Sequence, residues 1–297
     1  MKPIRAGSHT LSDGRRLRWA QWGAAGGQPI LFFHGTPSSR LDHFDQGVLE
    51  ELGVELTTVD RPGVGGSTPK PGRRVIDWPD DVSELAEAFD LDRFITVGHS
   101  MGGSYALACA VRLADRVEQV GLVASIAPWT EPGFADVVPP YVQPIRDSYE
   151  RDPEAGVREF RGSIHELREA VLADAETTVK HFASGTLSET DQALFRADRD
   201  LWEAVKLNFR EHLVAGIEGM LSERMAGHIC EWGFHLVDVT TPVRVIQGAD
   251  DLLLPPTVGR LLAERLPNAT YHEFEGVGHF FPTDRHKELL RLLIGKP

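Results

Sequence analysis

Cysteine is nearly absent: Cys109 and Cys230 are the two in 297 residues, and neither has a second cysteine or a histidine at ligand spacing. That rules out a disulfide-dense scaffold and a CxxC metal or redox site, and it leaves both residues as small buried apolar side chains. Positive charge is also short, with 31 Lys+Arg against 44 Asp+Glu and a net charge of −13. Such an excess repels phosphate backbones and anionic lipid, so neither nucleic acid nor a membrane is expected as a partner. No run approaches the ~18 consecutive apolar residues of a membrane span. The opening MKPIRAGSHTLSDGRRLRW carries charge without the apolar centre of a signal peptide, which predicts a reducing, cytoplasmic setting. The glycines at 63, 65 and 66 have no GKS or GKT after them, so a nucleotide loop is excluded. With no metal-ligand spacing either, no metal or cofactor is expected.

What is present is an alternation. The Asp13-Gly14 pair between two extended runs predicts a hairpin. Short apolar or β-branched runs follow at 29–35, 54–60, 93–100 and 118–127, separated by helical stretches such as DVSELAEAFD and SYALACAVRLADRV. Strands apolar on both faces and alternating with helices predict a parallel sheet covered on both sides. From Pro128 to about His235 the alternation stops, and only amphipathic helical segments are legible. Strand and helix resume at 241–251, 257–266, 269–276 and 285–295. The expected organisation is an α/β core of residues 1–127 and 236–297 with a helical insertion, 128–235.

The stretch FITVGHSMGGSYALA sets Ser100 among Gly98, Gly102 and Gly103 at a strand-to-helix junction. A serine hydroxyl is a weak nucleophile and must be exposed near a base and near donors for an oxyanion. A sharp turn meets those needs, and the glycines keep side chains out of it. The other parts occur in order. FFHGTPSSR ends a strand at His34-Gly35, freeing the backbone N–H of Thr36; GADDLLLP ends another with carboxylates; EGVGHFFP follows a third with His279 in a glycine-flanked loop. Serine, acid, histidine is one of the known chain orders of this chemistry.

HGTPSSR, DRPGVGGSTP, GHSMGG, GADDLLLP and GVGHFFP resemble the successive signature loops of the α/β-hydrolase superfamily over nearly the whole chain outside the insertion. The resemblance implies an α/β fold with a mostly parallel eight-stranded sheet flanked by helices, and a helical cap inserted after strand 6. It implies a triad of Ser100, Asp251 and His279, with Asp251 as the acid because it stands three residues after Gly248. Asp250 is then expected to brace its loop through backbone N–H groups. The backbone N–H groups of Thr36 and Met101 are the expected oxyanion hole, with little role for the Thr36 side chain. The nearest groups are cap-bearing esterases, lactonases, proline iminopeptidases and carbon–carbon bond hydrolases. No cofactor is implied.

Other residues carry less. His34 and His99 adjoin the site and suit structural hydrogen bonds; His286, on the last helix, suits solvent; Asp60 suits a carboxylate accepting from backbone N–H groups of its glycine-rich turn. Trp129, Tyr141, Trp202 and Trp232 individually suit a core and together suit an apolar underside of the insertion. Trp129 and Trp202, with Phe280, are the candidates for substrate contact. The charges of RADRDLWEAVKLNFREH suit a solvated outer face. The function expected is a serine hydrolase acting on a small, apolar, ester-like molecule. Carbon–carbon cleavage, aminopeptidase or cofactor-free haloperoxidase chemistry and a non-enzymatic small-molecule receptor are the alternatives.

Overall fold

In the computed structural model, which describes residues 2–295, Gly14 adopts φ +85° and its N–H reaches Leu11 O at 2.9 Å. The chain reverses there, so β1 (Arg5–Thr10) and β2 (Arg16–Gly23) pair antiparallel with Thr10 opposite Arg16. The remaining strands are β3 (Gln28–Phe33), β4 (Val54–Val59), β5 (Phe94–His99), β6 (Val117–Val123), β7 (Val243–Gly248) and β8 (Ala269–Phe274). They form one sheet in the order β1-β2-β4-β3-β5-β6-β7-β8, antiparallel between β1, β2 and β4 and parallel beyond. The expected run 118–127 overshoots its strand: after Val123 the backbone leaves the ladder, and Ile126 N–H turns to Ser100 O at 3.2 Å.

Both faces of the sheet are covered, which is why its central strands are apolar at successive positions. Along β3, Leu31 and Phe33 face one core with α2 (Trp78–Ala88), α3 (Gly102–Arg112) and α10 (Pro256–Arg265). Ile30 and Phe32 face the other, with α1 (Gln46–Leu52) and α11 (His286–Leu293). Cys109 is fully buried in the first core, whereas Cys230 is only half-buried, contrary to expectation.

Between β6 and β7 the chain is helical: α4 (Gln143–Arg151), α5 (Pro153–Ala173), α6 (Ala175–Thr186), α7 (Glu189–Ala197), α8 (Arg199–Val214) and α9 (Glu218–Arg224), the last running into a π-helical turn, Met225–Ile229. Four of these helices start where Asp152, Asp174, Ser188 or Asp198 accepts a backbone N–H three residues on. Such caps satisfy donors that a helix leaves unpaired. The cap helices enclose their own apolar cluster, including Phe160, Val171, Val179, Phe209 and Leu213. Among the described residues, no helix is long and apolar enough to cross a membrane, and no group of three or more His, Cys, Asp or Glu is placed to hold a metal.

Candidate active site

Ser100 stands between the end of β5 and the start of α3 with φ +54°, an uncommon angle for a residue other than glycine. Its N–H is held by Val123 O at 2.9 Å. Side chains at the neighbouring glycines would not fit: a Cβ on Gly98 would lie 2.3 Å from the Gly102 carbonyl, and one on Gly102 would lie 1.8 Å from Phe33 O. The elbow therefore packs backbone on backbone, and the serine is left at its tip in the wall of a cavity.

Asp251 and His279 meet at the ends of β7 and β8. Nδ1 of His279 lies 2.9 Å from Oδ2 of Asp251, and Oδ1 of Asp251 accepts from the N–H groups of Leu253 and Leu254, both at 2.9 Å. Nε2 of Gln247 donates to Oδ2 of Asp251 at 3.1 Å and to Leu254 O at 3.0 Å, fixing the carboxylate from a second side. Burial alone would lower the basicity of His279, but the charge and hydrogen bond of Asp251, with Asp191 behind, outweigh it and hold the imidazole above its ordinary value. Asp250 faces away from His279 and accepts from Thr190 Oγ1 at 2.6 Å, so it ties its loop to the cap through a side chain where backbone N–H partners were expected.

The other histidines near the site are neutral supports. Burial pushes His99 down to about 3, and its Nε2 lies 3.1 Å from the backbone oxygen of His279, so that nitrogen carries the proton. His34 is also lowered by burial, with Nδ1 2.7 Å from Gly35 O. His286 is not solvated as expected: it is 9% exposed, accepts from Asp45 N–H at 3.0 Å, and is pushed to about 4 because the helix face carrying it is packed inward.

Thr36 is anchored by its hydroxyl as well as by the loop that carries it. Its Oγ1 donates to Glu223 of α9, a fully buried carboxylate. Arg61, also fully buried, donates Nε to Glu223 at 2.7 Å and Nη1 to His34 O at 2.6 Å. Its Nη2 reaches Gly35 O at 3.2 Å. The loop after β3 is thus clamped by an ion pair whose anion comes from the cap. Arg61 carries enough of that charge to keep Glu223 well below the usual carboxylate range despite burial. A second cap carboxylate, Asp191 at the start of α7, accepts the N–H groups of His279 at 3.1 Å and Phe280 at 2.9 Å. The sequence marked neither Glu223 nor Asp191, because each finds its partner only through the fold. Asp60 is another correction: it accepts from the backbone N–H of Arg40 at 2.7 Å and its guanidinium at 2.6 Å, while Gly65 leaves room for the carboxylate.

Two cavities open at Ser100. The larger, about 440 Å³, has Ser100 and His279 in its wall and is otherwise mainly apolar, with Trp22, Phe32, Leu41, Phe182 and Phe280. Half-buried Asp42 also lines it, pushed up to about 6 by desolvation. The smaller, about 240 Å³, is shared by Ser100, Thr36 and Met101. Phe280 lies in the wall of the larger cavity. Trp129 and Trp202 do not line either cavity: Nε1 of Trp129 donates to His228 at 3.1 Å and that of Trp202 to Glu176 at 3.1 Å, which turns each indole into packing. Nor is α8 charged only toward solvent. Asp200 and Glu203 line the larger cavity, and Glu211 pairs with Arg40 at 2.6 Å.

The chain compares with known proteins along nearly its whole length. It is 28% identical over 284 residues to a non-heme chloroperoxidase of Streptomyces lividans, covering 92% of each chain. It is 29% identical over 255 residues to a pimeloyl-[acyl-carrier protein] methyl ester esterase of Aromatoleum aromaticum, covering 82% of this chain and 86% of that one. A bromoperoxidase structure from Bacillus anthracis superposes with a TM-score of 0.71 at 21% identity over 98% of this chain and 100% of that one. The sequence pattern described as the alpha/beta hydrolase fold matches residues 28–285. The elbow, the sheet order and this match lead to one conclusion: the chain belongs to the α/β-hydrolase fold family.

Proposed function

We propose that the protein is a serine hydrolase of small carboxylic esters with an apolar part. The observation that carries this reading is the pairing of Asp251 with His279 in the cavity whose wall holds Ser100 on its strained elbow. Ser100 Oγ attacks the ester carbonyl while Nε2 of His279 takes its proton; Asp251 holds Nδ1–H and favours the imidazolium that forms. The N–H groups of Thr36 and Met101 receive the oxyanion. Collapse expels the alcohol with the proton returned by His279, and water, activated by the same histidine, releases the acid from acyl-Ser100. The mainly apolar lining of the larger cavity supports an apolar group bound there. That one relative is a methyl ester esterase is consistent with ester chemistry.

A panel of p-nitrophenyl esters, lactones, aminoacyl-arylamides and β-diketones tests the reading. Esters should show a burst of nitrophenol followed by turnover that Ser100→Ala abolishes. Turnover confined to β-diketones or arylamides, or equal in Ser100→Ala, would contradict it.

A further inference from the structure

The smaller cavity has a different chemistry from the larger one. The charge in its wall is the guanidinium of Arg224, and no acidic side chain lines it. Arg224 makes no hydrogen bond or ion pair to any described residue; its Nε is buried without a partner. The adjacent carboxylate, Glu223, is already engaged by Arg61 and Thr36. Arg224 is half-buried, and a buried Nε–H left without a partner is a group that native structures usually satisfy. Burial depresses the basicity of Arg224, although Tyr141 and Glu223 pull it the other way.

The other polar groups in this wall are set up as donors. Nε1–H of Trp129 donates to Nδ1 of His228 at 3.1 Å. An indole can only donate, so Nδ1 is the acceptor and the proton of the neutral imidazole sits on Nε2. Burial keeps that ring neutral, at about 3. Tyr141 and Thr186 add hydroxyls. The π turn Met225–Ile229, closed by Cys230 N–H to Met225 O at 2.9 Å, joins Arg224 to His228. Widened turns of this kind recur at functional sites. Gly227 presses the turn against the elbow: a Cβ there would lie 2.3 Å from Sδ of Met101, the residue after the serine.

We propose that this cavity is a carboxylate subsite, in which Arg224, supported by the Nε2–H of His228, binds the carboxylate of a substrate whose scissile carbonyl lies at Ser100. The subsite rests on the acyl-transfer reading of Ser100, and it narrows the substrate class to carboxylate-bearing esters with an apolar remainder. A volume of about 240 Å³ equals several waters of ~30 Å³ each, room for a short acid chain and little more. The net charge of −13 opposes long-range capture of anions, so recognition falls to these local donors.

Two measurements test the subsite separately from the chemistry. First, kcat/KM is compared for mono-p-nitrophenyl glutarate and p-nitrophenyl valerate, which match in chain length and differ in charge. The wild type should prefer the anionic ester, and Arg224→Gln should lower the glutarate-to-valerate ratio by roughly 10- to 100-fold, the range for a charged hydrogen bond. Arg224→Lys should restore part of it. Second, calorimetry with malonate, succinate, glutarate and adipate on Ser100→Ala protein reads binding without turnover. At least one should bind, and the double variant with Arg224→Gln should lose that binding. Arg224→Gln should not lower the ligand-free melting temperature, since no internal partner is lost. A ratio unchanged by Arg224→Gln, or a lowered melting temperature with no loss of carboxylate binding, overturns the subsite and leaves the hydrolase reading intact. Arg224-dependent binding without turnover of any ester upholds the subsite and overturns the hydrolase reading.

Discussion

On the sheet side of the cavity, Ser100, Asp251 and His279 sit on loops leaving β5, β7 and β8, and their turns are set by residues close in the chain, such as Leu253 and Leu254 on Asp251. On the cap side, Asp191 reaches the His279 loop across 88 residues and Glu223 reaches Thr36, on the loop after β3, across 187. In the proposed reaction the sheet side supplies the reacting groups, and the cap side holds the loops that present them. Chemistry is thus written locally, whereas its alignment depends on long-range pairs. That division predicts different failures: sheet-side substitutions should remove rate in a protein that still folds, and cap-side ones should loosen stability and geometry together.

The largest effect should come from Asp251→Asn, which preserves shape but favours the wrong tautomer of His279; kcat should fall on the order of 10⁴-fold. Asp250→Asn, at a carboxylate that accepts from Thr190 Oγ1 and not from His279, should leave kcat within a few-fold. Because Asp251 raises the imidazole, the acid limb of residual kcat/KM should also move to lower pH in Asp251→Asn. A loss in Asp250→Asn instead would shift the register by one.

Next in size is Glu223→Gln. It leaves Arg61 buried with its charge uncompensated, and breaking such a pair costs ~3–5 kcal/mol. Urea denaturation should show that loss with an unchanged m-value, and kcat should fall with it because the Thr36 loop loses its clamp. Full stability with full activity would break the contrast between the two sides.

Asp42 sharpens it further. Its carboxyl is pushed up to about 6 from 3.8, so the folded state binds that proton more tightly than the unfolded chain. Stability from this group therefore falls as pH rises between those values and stays lost above about 6. Asp42→Asn should stabilise the protein by on the order of 2 kcal/mol at pH 7.5 and by nothing near pH 4, read from melting curves at both. The smallest effect should be Trp202→Phe, which lies outside both cavities and should not alter relative rates across an ester chain-length series; Phe280→Ala, in the wall, should.

The division also explains what could be read from the sequence. The strand runs, the hairpin at Asp13-Gly14 and the spacing of Ser100, Asp251 and His279 are local patterns, and the structure sets these residues at the ends of the strands that the runs marked. The tryptophans misled because bulk and apolarity do not say which way a side chain points: Trp129 and Trp202 spend their N–H groups on His228 and Glu176. His286 misled because charge on neighbouring residues hid a face turned toward Asp45. Glu223, Asp191 and Arg224 left no signal, since an acidic or basic residue on a cap helix looks the same whether it meets solvent or a buried partner.

The most direct test of the account is to treat the wild type and His279→Ala with a fluorophosphonate and map the labelled peptide by mass spectrometry. The account predicts stoichiometric modification of Ser100 in the wild type, strongly slowed in His279→Ala. Modification at Ser38 or Ser104, or labelling of Ser100 at the same rate without His279, would contradict it.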